Sequence, residues 1–337
     1  MPESHGPPST VRSRFTAMVI VFAATMVLLT GCGDDDASVS EPRAVEATIS
    51  TTRVVTDSVG EVTVPVAPQR IVTFGPFATA LLAVEAPVAG IAQLNPATMV
   101  PAIANRYEGI PTIGTRMEID AEAVAALNPD LIVSTIPAGS AFDVGPLENI
   151  APVLVFAPED AAEWASLGEH IADAVGKSAV LKAQKTAYEA RAKDIGMKYA
   201  DVLNTVTFAA ADGAANGSAW RRDFALGYMA NALTPTGAKF PGQPSTGTEA
   251  GTEQLSLERL SDLNAVDVIL VGANPDGTPT AAAQTLMAQP VWATLTPVRA
   301  GLAFALPWAI PRDYPTAMQT LDAFEQILNQ IQQMRSR

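Results

Sequence analysis

The chain has 337 residues, 48% of them apolar, with 21 Lys and Arg against 35 Asp and Glu for a net charge of −14, one Cys and two His. A single cysteine excludes an intrachain disulfide framework and any zinc or iron–sulfur site built on several thiolates. The acidic balance argues against nucleic acid as a partner, and the length and apolar content indicate a globular chain of about two domains.

The first predicted element is not part of the fold. FTAMVIVFAATMVLLT is an uncharged run of 16 residues preceded by Arg12 and Arg14. It is shorter than the roughly 20 residues a membrane-spanning helix needs, so residues 1–31 are expected to be a cleaved secretion signal. The run ends in Leu29-Thr30-Gly31-Cys32, which resembles the lipobox of bacterial lipoproteins, with the only Cys in its last position. That resemblance implies a diacylglyceryl group on the Cys32 thiol and cleavage before it. Removing residues 1–31 takes away Glu3, Arg12 and Arg14 and leaves 19 basic and 34 acidic residues, a net charge of −15.

Residues 32–52 begin with an Asp triplet after Gly33 and are rich in Ser, Thr, Ala and Glu, a composition that buries little apolar surface and reads as a flexible tether. From Arg53 two short β-rich runs flank Ser58-Val59-Gly60. RIVTF, PVAGIA, DLIVST and PVLVF then alternate with the helical stretches FATALLAV, AEAVAALN and PLENI, the pattern of a parallel sheet covered by helices. TVTFAAA, VDVILVG and GLAFAL repeat that alternation later in the chain. The longest helical pattern lies between the two regions, divided by Gly176. The predicted organisation is therefore an N-terminal α/β lobe over 53–176, a linking helix over 177–203 and a C-terminal α/β lobe over 204–337. This is an α/β fold of two Rossmann-like lobes bridged by one long α-helix, with ligand expected in the cleft at the carboxyl ends of the strands.

Four blocks in order carry a resemblance. APQRIVTFGPFATALLAV, IPTIGTRMEIDAEAVAALNPDLIVST, QLSLERLSDLNAVDVILVG and PVWATLTPVRAGLAFALPW resemble the substrate-binding proteins for ferric siderophores and vitamin B12, which deliver cargo to ABC importers. The resemblance spans about residues 53–333. It implies a monomeric, lipid-anchored receptor on the outer face of the cytoplasmic membrane, partnered by an ABC permease, with no cofactor and small closure on its ligand. A ferric siderophore arrives with its iron already coordinated by the chelator, so the pocket needs no metal ligands. It needs Arg or Lys for anionic oxygens and aromatic faces for the organic shell.

Arg116, in Ile113-Gly114-Thr115-Arg116, resembles the position from which relatives place an arginine in the cleft; a solvated surface Arg is the alternative. Trp220, Arg221 and Arg222 follow the strand TVTFAAA and a Gly-rich loop, where a pocket wall belongs, unless Trp220 packs beneath the loop and the Arg pair serves neighbours such as Asp223. Trp308, Arg312 and Tyr314 form a third cluster after GLAFAL, and Phe77 and Tyr107 are further candidates. Trp292 and Trp164 read as core. Glu122 and Glu258 each open a helix before a buried strand, one per lobe, and match acidic residues with which relatives dock on permease arginines; first-turn charges favoured by the helix dipole are the alternative.

Gly176-Lys177-Ser178 resembles the end of a phosphate loop, but Ile171 stands where the loop's first Gly belongs. His170, the only histidine after residue 31, falls on the polar side of a helical pattern and does not read as catalytic. A haem or corrinoid receptor of the same fold, and an envelope sensor lipoprotein that has lost transport, remain as alternatives. Three Arg-bearing loops favour an anionic chelate over either haem or a corrinoid. An enzyme is the poorest reading, because neither a nucleophile with a base nor a metal cluster is visible.

Overall fold

The computed structural model describes residues 51–115, 118–136, 143–157, 163–214, 217–243 and 251–337. The signal 1–31, Cys32, nearly all of the tether and Arg116 lie outside the described residues.

The first two strands, β1 (Thr52–Thr56) and β2 (Glu61–Pro65), form an antiparallel ribbon. Asp57 makes the turn: its Oδ1 accepts from the backbone N–H groups of Val59 and Gly60, both at 2.8 Å. Its Oδ2 accepts from Val155 N at 2.7 Å, which pins the ribbon to the edge of the first lobe.

That lobe is a four-stranded parallel sheet in the order β4-β3-β5-β6, from β3 (Ile71–Phe74), β4 (Val88–Ile91), β5 (Leu131–Ser134) and β6 (Val153–Val155). Every residue of β3 and β5 is buried, as a parallel sheet covered on both faces requires. Its helices are α1 (Thr79–Ala83), α2 (Pro101–Tyr107), α3 (Ala121–Ala126), α4 (Gly145–Glu148) and α5 (Trp164–Ala174).

The linking helix α6 spans Ser178–Lys198, and a backbone break at Tyr199 (φ −112°) separates it from α7 (Ala200–Leu203). The continuous helix is thus shorter than the expected 177–203. At 1.5 Å per residue it still reaches roughly 30 Å. Gln184 Nε2 donates to Ala83 O of the first lobe at 2.8 Å, and one turn later Tyr188 Oη donates to Ala232 O of the second at 2.7 Å. At Gly196 a Cβ would stand 2.7 Å from Thr236 O, so only glycine permits this approach.

The second lobe is a five-stranded mixed sheet in the order β11-β10-β7-β8-β9. Three parallel strands, β7 (Phe208–Gly213), β10 (Val268–Ala273) and β11 (Ala303–Pro307), match the expected apolar runs. The other two, β8 (Ala219–Asp223) and β9 (Thr252–Ser256), extend the sheet antiparallel. Around it lie α8 (Tyr228–Asn231), α9 (Ala281–Met287), α10 (Thr296–Arg299) and the closing α11 (Tyr314–Arg335).

One apolar cluster runs through both lobes. It takes Ile71 and Leu131 from the first sheet, Leu181, Tyr188 and Ile195 from α6, and Phe208, Leu270 and Phe324 from the second lobe. At its centre Tyr314 meets Trp164 at 5.0 Å and Tyr188 at 5.6 Å between ring centroids. Opening the lobes fully would expose this shared core, so motion between them is expected to be small.

Candidate binding cleft

Three strands end where the second lobe faces the first, and two of the first lobe's strands end opposite them. Between them, among the described residues, lie two adjoining compartments of about 470 Å3 and 210 Å3, which share Thr98 and Ile310 as wall residues.

The first-lobe wall begins where β3 ends. Gly75 has φ +99°, and a Cβ there would come within 2.7 Å of Thr135. The Thr135 hydroxyl fixes the turn by donating to Phe74 O at 3.1 Å and accepting from Phe77 N at 3.0 Å. Pro76 and Thr79 thereby line the larger compartment. After β4, Gln93 and Leu94 continue the wall; Leu94 N donates to the Tyr107 hydroxyl at 3.2 Å, so Tyr107 supports this loop from behind. Asn95 caps the short turn Pro96–Thr98 by accepting from Ala97 N at 3.1 Å.

From the second lobe come Asp212 at the end of β7, the loop after β10 and the segment 308–313 after β11. Trp308 holds φ +51°, uncommon for a non-glycine residue, and its carbonyl accepts from the Thr320 hydroxyl at 2.6 Å. Trp308 lines the smaller compartment and packs on the first lobe's cluster around Leu82 and Ile103. Arg312 lines the larger one and reaches across the cleft: its Nη1 donates to Pro76 O at 3.0 Å, and its guanidinium lies 5.0 Å from the centre of the Phe77 ring. Asp313 caps α11 by accepting from Thr316 N at 2.8 Å, and burial pushes its carboxyl above the usual carboxylate range.

Of the candidates read from the sequence, the structure brings Trp308 and Arg312 to the cleft. Several others need correction. Phe77 is buried in the shared core, and Tyr314 is too, because α11 begins there and turns its ring away from the cleft towards α6. The Trp220–Arg222 segment is the strand β8 rather than a loop. Trp220 is fully buried among Leu255, Leu260 and Trp292 and donates its indole N–H to Ser256 O at 3.1 Å.

Strand alternation sends Arg221 to the other face of β8. Its Nε donates to Asp223 Oδ1 at 2.9 Å, and its Nη2 lies 3.7 Å from Asp212 Oδ2. Burial opposes the guanidinium charge, but the two carboxylates outweigh it and keep Arg221 firmly protonated. Arg222 lies over the Phe224 ring at 5.1 Å and donates to Pro241 O, away from both compartments; burial lowers its pKa. Of the arginine loops expected at the cleft, the described residues retain one, that of Arg312.

Glu122 and Glu258 are both exposed in first turns. Asp120 caps α3 by accepting from Glu122 N at 2.9 Å, whereas Glu258 opens a 3-10 segment, Leu257–Ala265, rather than an α-helix. Trp292 and Trp164 are buried, and His170 is exposed beside the Phe156 ring. Sequence reasoning missed Asp212, although an acidic residue closing the run TVTFAAAD marks the carboxyl end of a strand.

Residues 79–308, about two thirds of the chain, match the profile of the periplasmic binding protein family. The chain belongs to that family. Among its relatives, the Fe(3+) dicitrate-binding periplasmic protein FecB of Escherichia coli (strain K12) is 34% identical over 141 residues, 41% of this chain and 47% of that protein. The putative ABC transporter substrate-binding lipoprotein YhfQ of Bacillus subtilis (strain 168) is 24% identical over 286 residues, 80% of this chain and 87% of that one. The chain thus spans about half the length of FecB and most of YhfQ. Among solved structures, the siderophore periplasmic binding protein from the fuscachelin gene cluster of Thermobifida fusca superposes with a TM-score of 0.66 at 26% identity, covering 79% of this chain and 98% of that one. The family and these structural neighbours are binding proteins, and the expected two-lobed α/β fold is theirs.

Proposed function

We propose that this protein is an extracytoplasmic receptor that captures a ferric siderophore between its lobes and passes it to an ABC permease, catalysing no reaction. The observation that carries this reading is the two-compartment cleft at the carboxyl ends of both sheets, with Arg312 and Trp308 on its walls. Names of relatives support the cargo: FecB is described as binding ferric dicitrate, and YfiY of Bacillus subtilis, 29% identical over 192 residues, as a probable siderophore-binding lipoprotein. Iron enters as cargo inside its chelator, so the protein's task is to recognise the chelate's outer oxygens and organic shell. Arg312 is placed for that, and Arg116 is proposed to join it: Gly114, two residues earlier, accepts from the wall residue Gln93 at 2.8 Å.

Trp308 provides the test. Adding a panel of ferric hydroxamate, catecholate and citrate chelates, haem and cobalamin to the purified protein is expected to quench tryptophan fluorescence for at least one ferric chelate. The Trp308→Phe variant should lose most of that quenching and Trp220→Phe little, since Trp220 is sealed in the core. No response to any ferric chelate, or a response confined to haem or cobalamin, would overturn the siderophore reading.

Membrane attachment through the lipid on Cys32 and a monomeric state complete the proposal. Cys32→Ala should abolish incorporation of labelled fatty acid; persistent labelling refutes the anchor. Glu122 and Glu258 are proposed to dock the two lobes on the permease. The double Glu122→Gln, Glu258→Gln variant is then expected to bind chelate normally while cellular iron uptake through it falls severalfold, and unchanged uptake would remove both residues from docking.

A further inference from the structure

Among the described residues, the charges on the cleft walls are mixed and do not match a purely anionic ligand. Among the described wall residues are one arginine, Arg312, and two aspartates, Asp313 and Asp212. Asp313 is committed to capping α11 and to a bond with Thr79. Asp212 is different. Its Oδ1 accepts from Gly213 N at 3.0 Å, while among the described residues its Oδ2 pairs with Arg221 Nη2 at 3.7 Å, beyond hydrogen-bond reach. Arg221 is itself held by the buried Asp223, so one guanidinium serves two carboxylates. Burial raises the Asp212 pKa against the pull of Arg221.

This carboxylate stands on the wall of the smaller compartment, and its side chain is 14% exposed. Trp308 lines the same space, and an indole face is the strongest aromatic partner for a cation. The adjoining larger compartment carries Arg312. The two adjoining compartments thus carry opposite charges, a guanidinium suited to chelate oxygens on the wall of the larger and a carboxylate on the wall of the smaller.

We propose that the smaller compartment is a subsite for a protonated amine on the siderophore, with Asp212 as its counter-ion. The ligand is then a chelate bearing a cationic arm rather than a uniformly anionic complex. This inference rests on the receptor reading above, and it names a property of the cargo that the reading leaves open.

The test uses two ferric complexes with one coordination core: ferric desferrioxamine B, a linear trihydroxamate with a terminal primary amine, and the same complex acetylated at that amine. Ferric citrate serves as an anionic chelate without an amine. Titration of the purified protein by tryptophan quenching is expected to show the amine form binding at least tenfold more tightly than the acetylated form. In Asp212→Asn that preference should shrink to twofold or less. The wild-type comparison decides the matter even if the variant folds poorly. Equal binding of the two hydroxamate forms, a preference that survives in Asp212→Asn, or binding of ferric citrate alone would overturn the amine subsite and leave the receptor standing. Silence towards all three complexes and towards the wider panel of ferric chelates would overturn the receptor reading, and the subsite with it.

Discussion

Asp223→Ala is expected to destabilise the protein by about 3 kcal/mol, read as a fall in the midpoint of urea unfolding at constant slope. Asp223 is 2% exposed, and both of its oxygens are used: Oδ1 faces Arg221 Nε at 2.9 Å and Oδ2 accepts from Met229 N at 2.7 Å. It therefore ties β8 to the start of α8 while neutralising a guanidinium that is itself largely buried. Alanine would strand Arg221 beside the Tyr228 ring, 4.8 Å away, with Asp212 at 3.7 Å as its one remaining ion-pair partner among the described residues. Breaking one side of a buried pair costs roughly 3–5 kcal/mol, and the 25% exposure of Arg221 places this case at the lower end. Asp223→Asn, which can keep an acceptor for Met229 N but loses the charge, should fall between the two. The Asp223→Ala, Arg221→Ala double variant should cost less than the sum of its parts, because the second change removes the stranded charge. A loss below 1 kcal/mol in Asp223→Ala would show that water reaches Arg221 in the folded protein.

The same residues explain how far the sequence could be read. Parallel strands such as RIVTF, DLIVST and VDVILVG are visible because burial on both faces leaves an unbroken apolar run. The β8 strand is invisible for the opposite reason. AWRRD carries one large apolar residue and three charges, and it is a strand because Arg221 finds carboxylates on one face while Trp220 enters the core on the other. Such pairing is tertiary, so a tryptophan beside two arginines reads from sequence as a binding loop.

Tyr314 fails similarly. Its loop reaches the cleft through Arg312, but Asp313 starts α11 in that position, and the helix turns the next side chain inward. Trp308 and Arg312 are legible because the segment after a carboxyl-terminal strand end belongs to the cleft whatever its detailed path. Asp212 obeys the same rule, but a search for cationic groups passes over it.

Arg312→Ala is expected to weaken chelate binding by roughly tenfold to a hundredfold, the effect of losing about 1.5–3 kcal/mol from a charged hydrogen bond. Two roles converge on this side chain. It is the only positively charged wall residue of the two compartments among the described residues, so a chelate's anionic oxygens depend on it more than on any other described group. It also spans the cleft to Pro76 O and lies over Phe77, holding the turn after β3 at the position from which Pro76 and Thr79 form the opposite wall.

Lysine separates these roles. Arg312→Lys keeps the charge but loses the planar fork that can serve a carbonyl and a ligand oxygen together, so it should recover only part of the affinity. If the charge acts on the ligand, the loss in Arg312→Ala should be larger for ferric citrate than for a neutral ferric trihydroxamate, provided both bind. If Arg312 acts mainly by holding the wall, the two chelates should lose affinity equally. Titrating both against the three proteins reads the difference directly, and unchanged affinity in Arg312→Ala for every chelate bound would remove this residue from recognition.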